Sequence, residues 1–144
     1  MVNSFNDCYT LENGMKIPVL GFGTYKMGGS SDLEVLKGAI KAGYRYFDTA
    51  SIYETERVLG QAIKESGIPR EEFFIATKAW IDERGYREVQ AAMDRSLQRL
   101  QMDYLDLYLI HWPKSSLKET DWKERDIETW RAMEELCMAG KVRG

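Results

Sequence analysis

The stretch GYRYFDTASIYETERVLG, Gly43 to Gly60, passes from a short strand to a helix through a turn that carries an acid and a tyrosine. Tyr44, Arg45, Tyr46 and Phe47 read as a strand, aromatic-rich and bounded by Gly43 before and Asp48-Thr49 after. Tyr53 follows Asp48 by five residues. From Glu54 to Ser66 the apolar positions Val58, Leu59, Ala62 and Ile63 recur at helical spacing against polar Glu56, Arg57, Gln61 and Lys64. Asp48 and Tyr53 therefore fall where a strand hands over to a helix, the rim on which α/β folds collect their chemistry.

The same pattern repeats on both sides. Upstream, Asn13-Gly14 between short apolar-flanked runs predicts an N-terminal hairpin over Tyr9 to Val19. Leu20 to Tyr25 reads as a first strand. Gly28 to Ser31 reads as a loop, with Ser30, Ser31 or Asp32 as a cap, and the next helix spans Asp32 to Ala42 before Gly43. Downstream, the second helix stops at Gly67, and Phe73 to Lys78 is an apolar run expected of a strand buried on both faces. A third helix runs from Tyr86 to Leu100, with Val89, Met93, Leu97 and Leu100 inward. Tyr104 to Ile110 is a fourth strand ending at His111. A polar loop from Lys114 to Glu124 then leads to a helix over Ile127 to Ala139, closed by Gly140. Four consecutive strand-helix units in one 144-residue domain predict an α/β fold with a parallel sheet and right-handed crossovers. Alternation alone leaves a doubly wound sheet and part of a barrel both open.

Composition narrows the function. With 44% hydrophobic and 30% charged residues the chain is globular, and a net charge of −3 makes nucleic acid and anionic membrane poor partners. No apolar run is long enough to span a bilayer, and Val2 to Tyr9 lacks the pattern of an export signal. Cys8 and Cys137 have no metal-ligand spacing, so no metal is expected, and a reduced, cytoplasmic setting is.

Asp48 and Tyr53 follow the second strand, Lys78 ends the third and His111 ends the fourth. In a barrel those ends share one face. An ammonium near a phenol stabilises the phenolate, so Lys78, held charged by Asp48, is expected to lower the pKa of Tyr53. Tyr53 then serves as proton donor to an oxygen that gains charge, and His111 orients that oxygen. Singly, each residue has a plainer reading: Asp48 as a cap, Tyr53 as packing, Lys78 as a solvated strand end, His111 as a satisfied interior residue, and Trp80 and Trp112 as core. Taken singly, the plainer reading is favoured in every case; their arrangement at strand ends, together with the resemblance described next, favours the catalytic one.

The stretch from Gly43 resembles the signature of the aldo-keto reductase family, approximately G-Y-R-x-x-D-T-A-x-x-Y-x-x-E. Ile75-Ala76-Thr77-Lys78 and Leu107-Tyr108-Leu109-Ile110-His111-Trp112-Pro113 match it as well. The resemblance implies the N-terminal half of a (β/α)8 TIM barrel and NADPH-dependent reduction of a small-molecule aldehyde or ketone. It implies Tyr53 as general acid, Asp48 and Lys78 as its tuning pair, and His111 as the substrate-orienting group. It further implies Gly23, Thr24, Tyr25 and Asp48 at the nicotinamide end, and a substrate pocket walled by Tyr25, Trp80, His111 and Trp112. One departure is Glu54-Thr55-Glu56, where many relatives carry Gly-Asn-Glu. No G-x-G-x-x-G loop is present, which argues against a Rossmann mode of cofactor binding.

A whole barrel needs about 250 residues. The chain reaches Lys141-Val142-Arg143-Gly144 where a fifth strand is expected to begin. In the family the cofactor's phosphates are held mainly by the second half. The expectation for 144 residues alone is therefore weak or absent turnover, and self-association of half-barrels to cover open edges and an apolar inner face. The alternatives are a non-catalytic half-barrel fragment or a binding relative of the same family.

Overall fold

A computed structural model describes residues 4, 7–27, 29–114, 116 and 119–144. Gly28 of the expected loop lies outside them, as do Ser115, Leu117 and Lys118 of the polar loop and most of the stretch before Asp7.

The hairpin forms as expected. Strands β1 (Cys8–Thr10) and β2 (Lys16–Pro18) pair antiparallel, with Tyr9 opposite Ile17. The Asn13 side chain accepts from the Met15 N–H at 3.0 Å and fixes the turn. Strands β3 (Gly21–Gly23), β4 (Tyr46–Asp48), β5 (Phe74–Ala79) and β6 (Leu107–Ile110) then form one parallel sheet in sequential order. Helices α1 (Asp32–Lys41), α2 (Glu56–Ser66), α3 (Tyr86–Leu100) and α4 (Trp122–Met138) follow them in turn, each packed on the next.

Strand alternation divides the sheet. Phe47, Ile75 and Tyr108 are buried in one core cluster with Leu36, Leu59, Met93 and Leu100 of the helices. Tyr46, Phe74, Lys78 and Leu109 belong to the opposite set of alternate positions, where Tyr46 sits across from Phe74 with ring centroids 4.9 Å apart. Beyond α4 the chain returns beside the start of β6. Leu105 donates to the Lys141 carbonyl at 2.9 Å and bridges Val142 in parallel, which is how the fifth strand was expected to begin.

Several boundaries differ from the sequence reading, each for a local reason. The second helix begins at Glu56 rather than Glu54, because Ser51–Tyr53 forms a single 3-10 turn and Glu54 adopts φ 60, a left-handed conformation that breaks the helical path. The fourth helix begins at Trp122 rather than Ile127. Its first turns are polar and carry no apolar period, but Asp126 is anchored by Arg84 at 3.0 Å. The first helix has no side-chain cap from Ser31; Asp32 instead accepts from the Gly29 N–H at 3.1 Å. Gly43 and Gly67 end their helices at φ 104 and φ 67, conformations that cost any other residue.

Helices α2 and α3 meet at Gly60, where an added Cβ would lie 2.2 Å from the Leu100 carbonyl oxygen and 2.6 Å from its carbon. Alanine would gain about 1 kcal/mol of helix propensity over glycine. The obstacle is backbone, however, so the helices must separate, and overpacking of this kind costs about 1–3 kcal/mol. Gly60→Ala is therefore expected to lower the urea midpoint, with an unchanged or raised midpoint contradicting the close approach.

Candidate active site

The register of the sheet assembles the site. Gly23, Asp48 and Ala76 lie side by side across β3, β4 and β5, and Lys78 stands two residues further along β5, opposite Leu109 of β6. From there the Lys78 ammonium reaches back to the Asp48 carboxylate at 2.5 Å and to the Thr49 carbonyl at 2.9 Å. Both side chains are largely shielded, and each charge answers the other.

Tyr53 hangs from the 3-10 turn above this pair. Lys78 Nζ lies over its ring, 5.3 Å from the ring centre. The hydroxyl lies 3.4 Å from His111 Nε2. Burial, and after it the Asp48 carboxylate and Tyr25, push the Tyr53 phenol above its ordinary value. This reverses the sequence expectation of a lowered value. The charge of Lys78 is committed to Asp48 and Thr49, and what reaches the phenol is its desolvation and a nearby carboxylate.

His111 follows β6, its N–H bonded to the Ala79 carbonyl at 3.0 Å. Burial, then the Lys78 charge, hold its imidazole below the ordinary value despite Asp48. The ring is therefore neutral at neutral pH. Nδ1 is buried and has no hydrogen-bond partner among the described residues, so a proton there would be an orphaned donor. With the proton on Nε2, the ring donates toward the Tyr53 oxygen and leaves the Tyr53 hydroxyl hydrogen free to point elsewhere; with it on Nδ1, the Tyr53 hydroxyl is the donor.

The pocket beside this pair, about 580 Å³, is lined by Tyr25, Tyr53, Trp80, His111 and Trp112 with Lys26, Met27 and Ile52. All four residues expected to wall it are there. Trp80 stands edge-on to His111 at 4.8 Å, Tyr25 lies 5.1 Å from Tyr53, and Trp112 is 56% exposed. Of the residues expected at the nicotinamide end, Gly23 has open space where a Cβ would be, and the Tyr25 ring is exposed. Thr24 is fully buried. Its hydroxyl bonds that of Thr55 at 2.9 Å, and Thr55 bonds Thr49 at 3.0 Å, so three threonines tie the ends of β3 and β4 to the start of α2.

Glu56 was read from the sequence as part of a polar helix face, yet it is fully buried. It accepts from the Thr77 hydroxyl at 2.7 Å and from Arg99 at 2.6 Å, fixing the strand residue next to Lys78. Its place three residues after the tyrosine was the available signal. The partners, on another strand and another helix, were not legible locally. Among the described residues no cluster of His, Cys, Asp and Glu could hold a metal ion, and no helix is long and apolar enough to cross a membrane.

Comparison with known proteins decides the family. The family model "Aldo/keto reductase family" matches residues 19–144. The chain belongs to the aldo/keto reductase family. It is 47% identical to glyoxal reductase of Bacillus subtilis (strain 168) over 144 residues, covering 99% of this chain and 49% of that protein. It is 38% identical to glycerol 2-dehydrogenase (NADP(+)) of Saccharomyces cerevisiae, covering 93% of this chain and 49% of that protein. The crystal structure of an aldo/keto reductase from Brucella melitensis superposes with a TM-score of 0.88 at 40% identity, covering 99% of this chain and 52% of that one. The chain thus spans about half the length of the relatives it matches, and its parallel sheet with four helices is the N-terminal half of their (β/α)8 barrel. Barrel membership resolves the alternative that strand-helix alternation left open.

With one histidine in the chain, the imidazole signal at this aldo/keto reductase site needs no assignment. Its NMR titration midpoint is expected below the ordinary 6.5. The sign for stability follows. Between 6.5 and the lower folded midpoint the unfolded chain takes up a proton that the folded chain refuses, so this group's contribution is present above 6.5 and lost as pH falls. A midpoint at or above 6.5 would contradict the burial of the ring.

Proposed function

We propose that this chain carries the proton-transfer centre of a nicotinamide-dependent reduction of an aldehyde or ketone to an alcohol. The observation that carries the reading is the Tyr53 hydroxyl 3.4 Å from His111 Nε2, above the Lys78–Asp48 ion pair and facing an aromatic pocket. Tyr53 is the general acid. Its raised pKa keeps the proton in place until an oxygen in the pocket gains charge, and that oxygen, becoming an alkoxide, is a far stronger base than the phenolate left behind. Neutral His111, with its hydrogen on Nε2, gives a second donor to the same oxygen and orients the carbonyl. Lys78, anchored by Asp48, keeps a positive charge beneath the ring as negative charge arrives on Tyr53.

No side chain in this set can release a hydride, and a bound nicotinamide cofactor would supply it. The donor set fits that group: it handles protons and oxyanions and leaves the hydride to a partner. Gly23, Tyr25 and Asp48 would hold the nicotinamide end, with the open space at Gly23 and the exposed Tyr25 ring in support, whereas Thr24, fully buried and bonded to Thr55, braces the strand end from behind instead of touching the cofactor. The NADP(+) in the yeast relative's name supports the phosphorylated form, NADPH. A reducing, cytoplasmic setting, expected from two cysteines without metal-ligand spacing, is part of this proposal.

Loss of a positioned general acid costs roughly 10²–10⁴-fold in rate. Tyr53→Phe is therefore expected to reduce the rate of nicotinamide oxidation with a generic aldehyde, followed at high protein concentration, by about that factor. A rate equal to that of the parent chain would remove Tyr53 from the chemistry.

For the 144 residues alone the proposal includes weak turnover and self-association. Leu109 on the inner sheet face and Ile127 and Trp130 of α4 are exposed, 37%, 61% and 59%, and a second copy could cover them. Sedimentation velocity is expected to show a species heavier than 16.7 kDa. A monomer that binds no hydrophobic dye would end this proposal, as tight binding of the reduced cofactor would end the expectation of weak turnover.

A further inference from the structure

We infer that Glu83, outside the pocket and outside the four residues of the proton-transfer centre, is the positioning residue that sets the Tyr53–His111 geometry. One carboxylate oxygen, Oε2, makes both connections. It accepts from the Ser51 hydroxyl at 2.5 Å and from the Trp80 N–H at 2.9 Å. Ser51 opens the single turn that ends in Tyr53, and its hydroxyl also reaches the Lys78 carbonyl at 3.2 Å. Trp80 is the residue whose ring stands edge-on against His111. Each member of the 3.4 Å pair is thus held, at one remove, by the same oxygen.

The carboxylate is built for this position. Its other oxygen takes Arg95 of α3 at 3.1 Å, and its side chain is 14% exposed. Burial alone would favour the neutral acid, but the bonds from Ser51, the Trp80 N–H and Arg95 outweigh it and hold the carboxyl below its usual range. The neighbouring residue works outward from the same turn. Arg84, fully buried, donates to the Pro113 carbonyl at 2.6 Å and pairs with Glu119 and Asp126. The Glu83-Arg84 dipeptide therefore joins three rim segments: the tyrosine turn, the Trp80 turn and the loop that carries Trp112.

This inference rests on the proposed roles of Tyr53 and His111, so its test reads geometry as well as rate. Glu83→Ala removes both connections. Glu83→Gln keeps an oxygen for Ser51 and the Trp80 N–H while dropping the charge and the Arg95 pair. In the full chain, Glu83→Ala is expected to shift the His111 imidazole NMR signals and raise their titration midpoint toward 6.5, with Glu83→Gln restoring parent values. Ser51→Ala, which cuts one connection and leaves the carboxylate in place, is expected to disturb the Tyr53 signals more than those of His111, and it carries the test should Glu83→Ala fail to fold. His111 and Tyr53 signals unchanged in Glu83→Ala, or in Ser51→Ala where it replaces that variant, would overturn the inference. Because the signals need no turnover, a chain that reduces no carbonyl would refute the proposed activity and leave the positioning result standing.

Discussion

The ion pair between Lys78 and Asp48 is the interaction on which the rim depends. Parallel pairing puts Asp48 beside Ala76, so Lys78 projects from the same side of the sheet two positions further on and can fold back to the carboxylate. Removing either partner would leave a half-buried charge without its answer, which is far costlier than the pair is favourable. The pair also closes the ends of β4 and β5, through the bond from Lys78 to the Thr49 carbonyl. With strand ends fixed, the turn from Ala50 to Tyr53 has a firm base, and the ammonium presents itself to the tyrosine ring from below.

Behind the rim, α3 acts as a cationic backing. Arg95 and Arg99 lie one helical turn apart and so face the same way. Arg95 takes Glu83 and Arg99 takes Glu56, two acids that come from different segments and are both turned inward from the sequence's point of view. Glu56 fixes Thr77, next to Lys78, while Glu83 fixes Ser51 and Trp80. The proton-transfer residues themselves make few bonds. Their precision is inherited from a second layer of acids that α3 anchors through Arg95 and Arg99.

How much of this could be read in advance depends on the range of the interaction. The hairpin at Asn13-Gly14, the helix over Tyr86–Leu100 and the glycine stops at Gly43 and Gly67 are local, and local pattern revealed them. The four strand-end residues were legible because strand ends in a parallel sheet share a face. The burial of Glu83 was not, and Glu56 was marked only by its place three residues after Tyr53, since the partners of both stand on other elements. The start of α4 was missed for the same reason: its polar first turns are held by Arg84, 42 positions earlier than Asp126. Glu54 carries a left-handed backbone that the sequence marked only as a departure from Gly. The sign of the Tyr53 shift failed for a different reason, because proximity of a cation was counted without asking what else held it.

That last correction also explains the electrostatic character of the site. A phenol held protonated, an imidazole held neutral and an ammonium cancelled by a carboxylate add up to a four-residue centre with almost no net charge before reaction. Donors of this kind bind a neutral carbonyl without strong attraction to its ground state, and their bonds strengthen when charge grows on its oxygen. A lowered phenol pKa would have given a better acid at the outset but a fraction of phenolate at neutral pH, repelling the charge it is there to receive. The burial that raises Tyr53 and lowers His111 works in one direction for both, keeping each group in the uncharged form that still has a hydrogen to give.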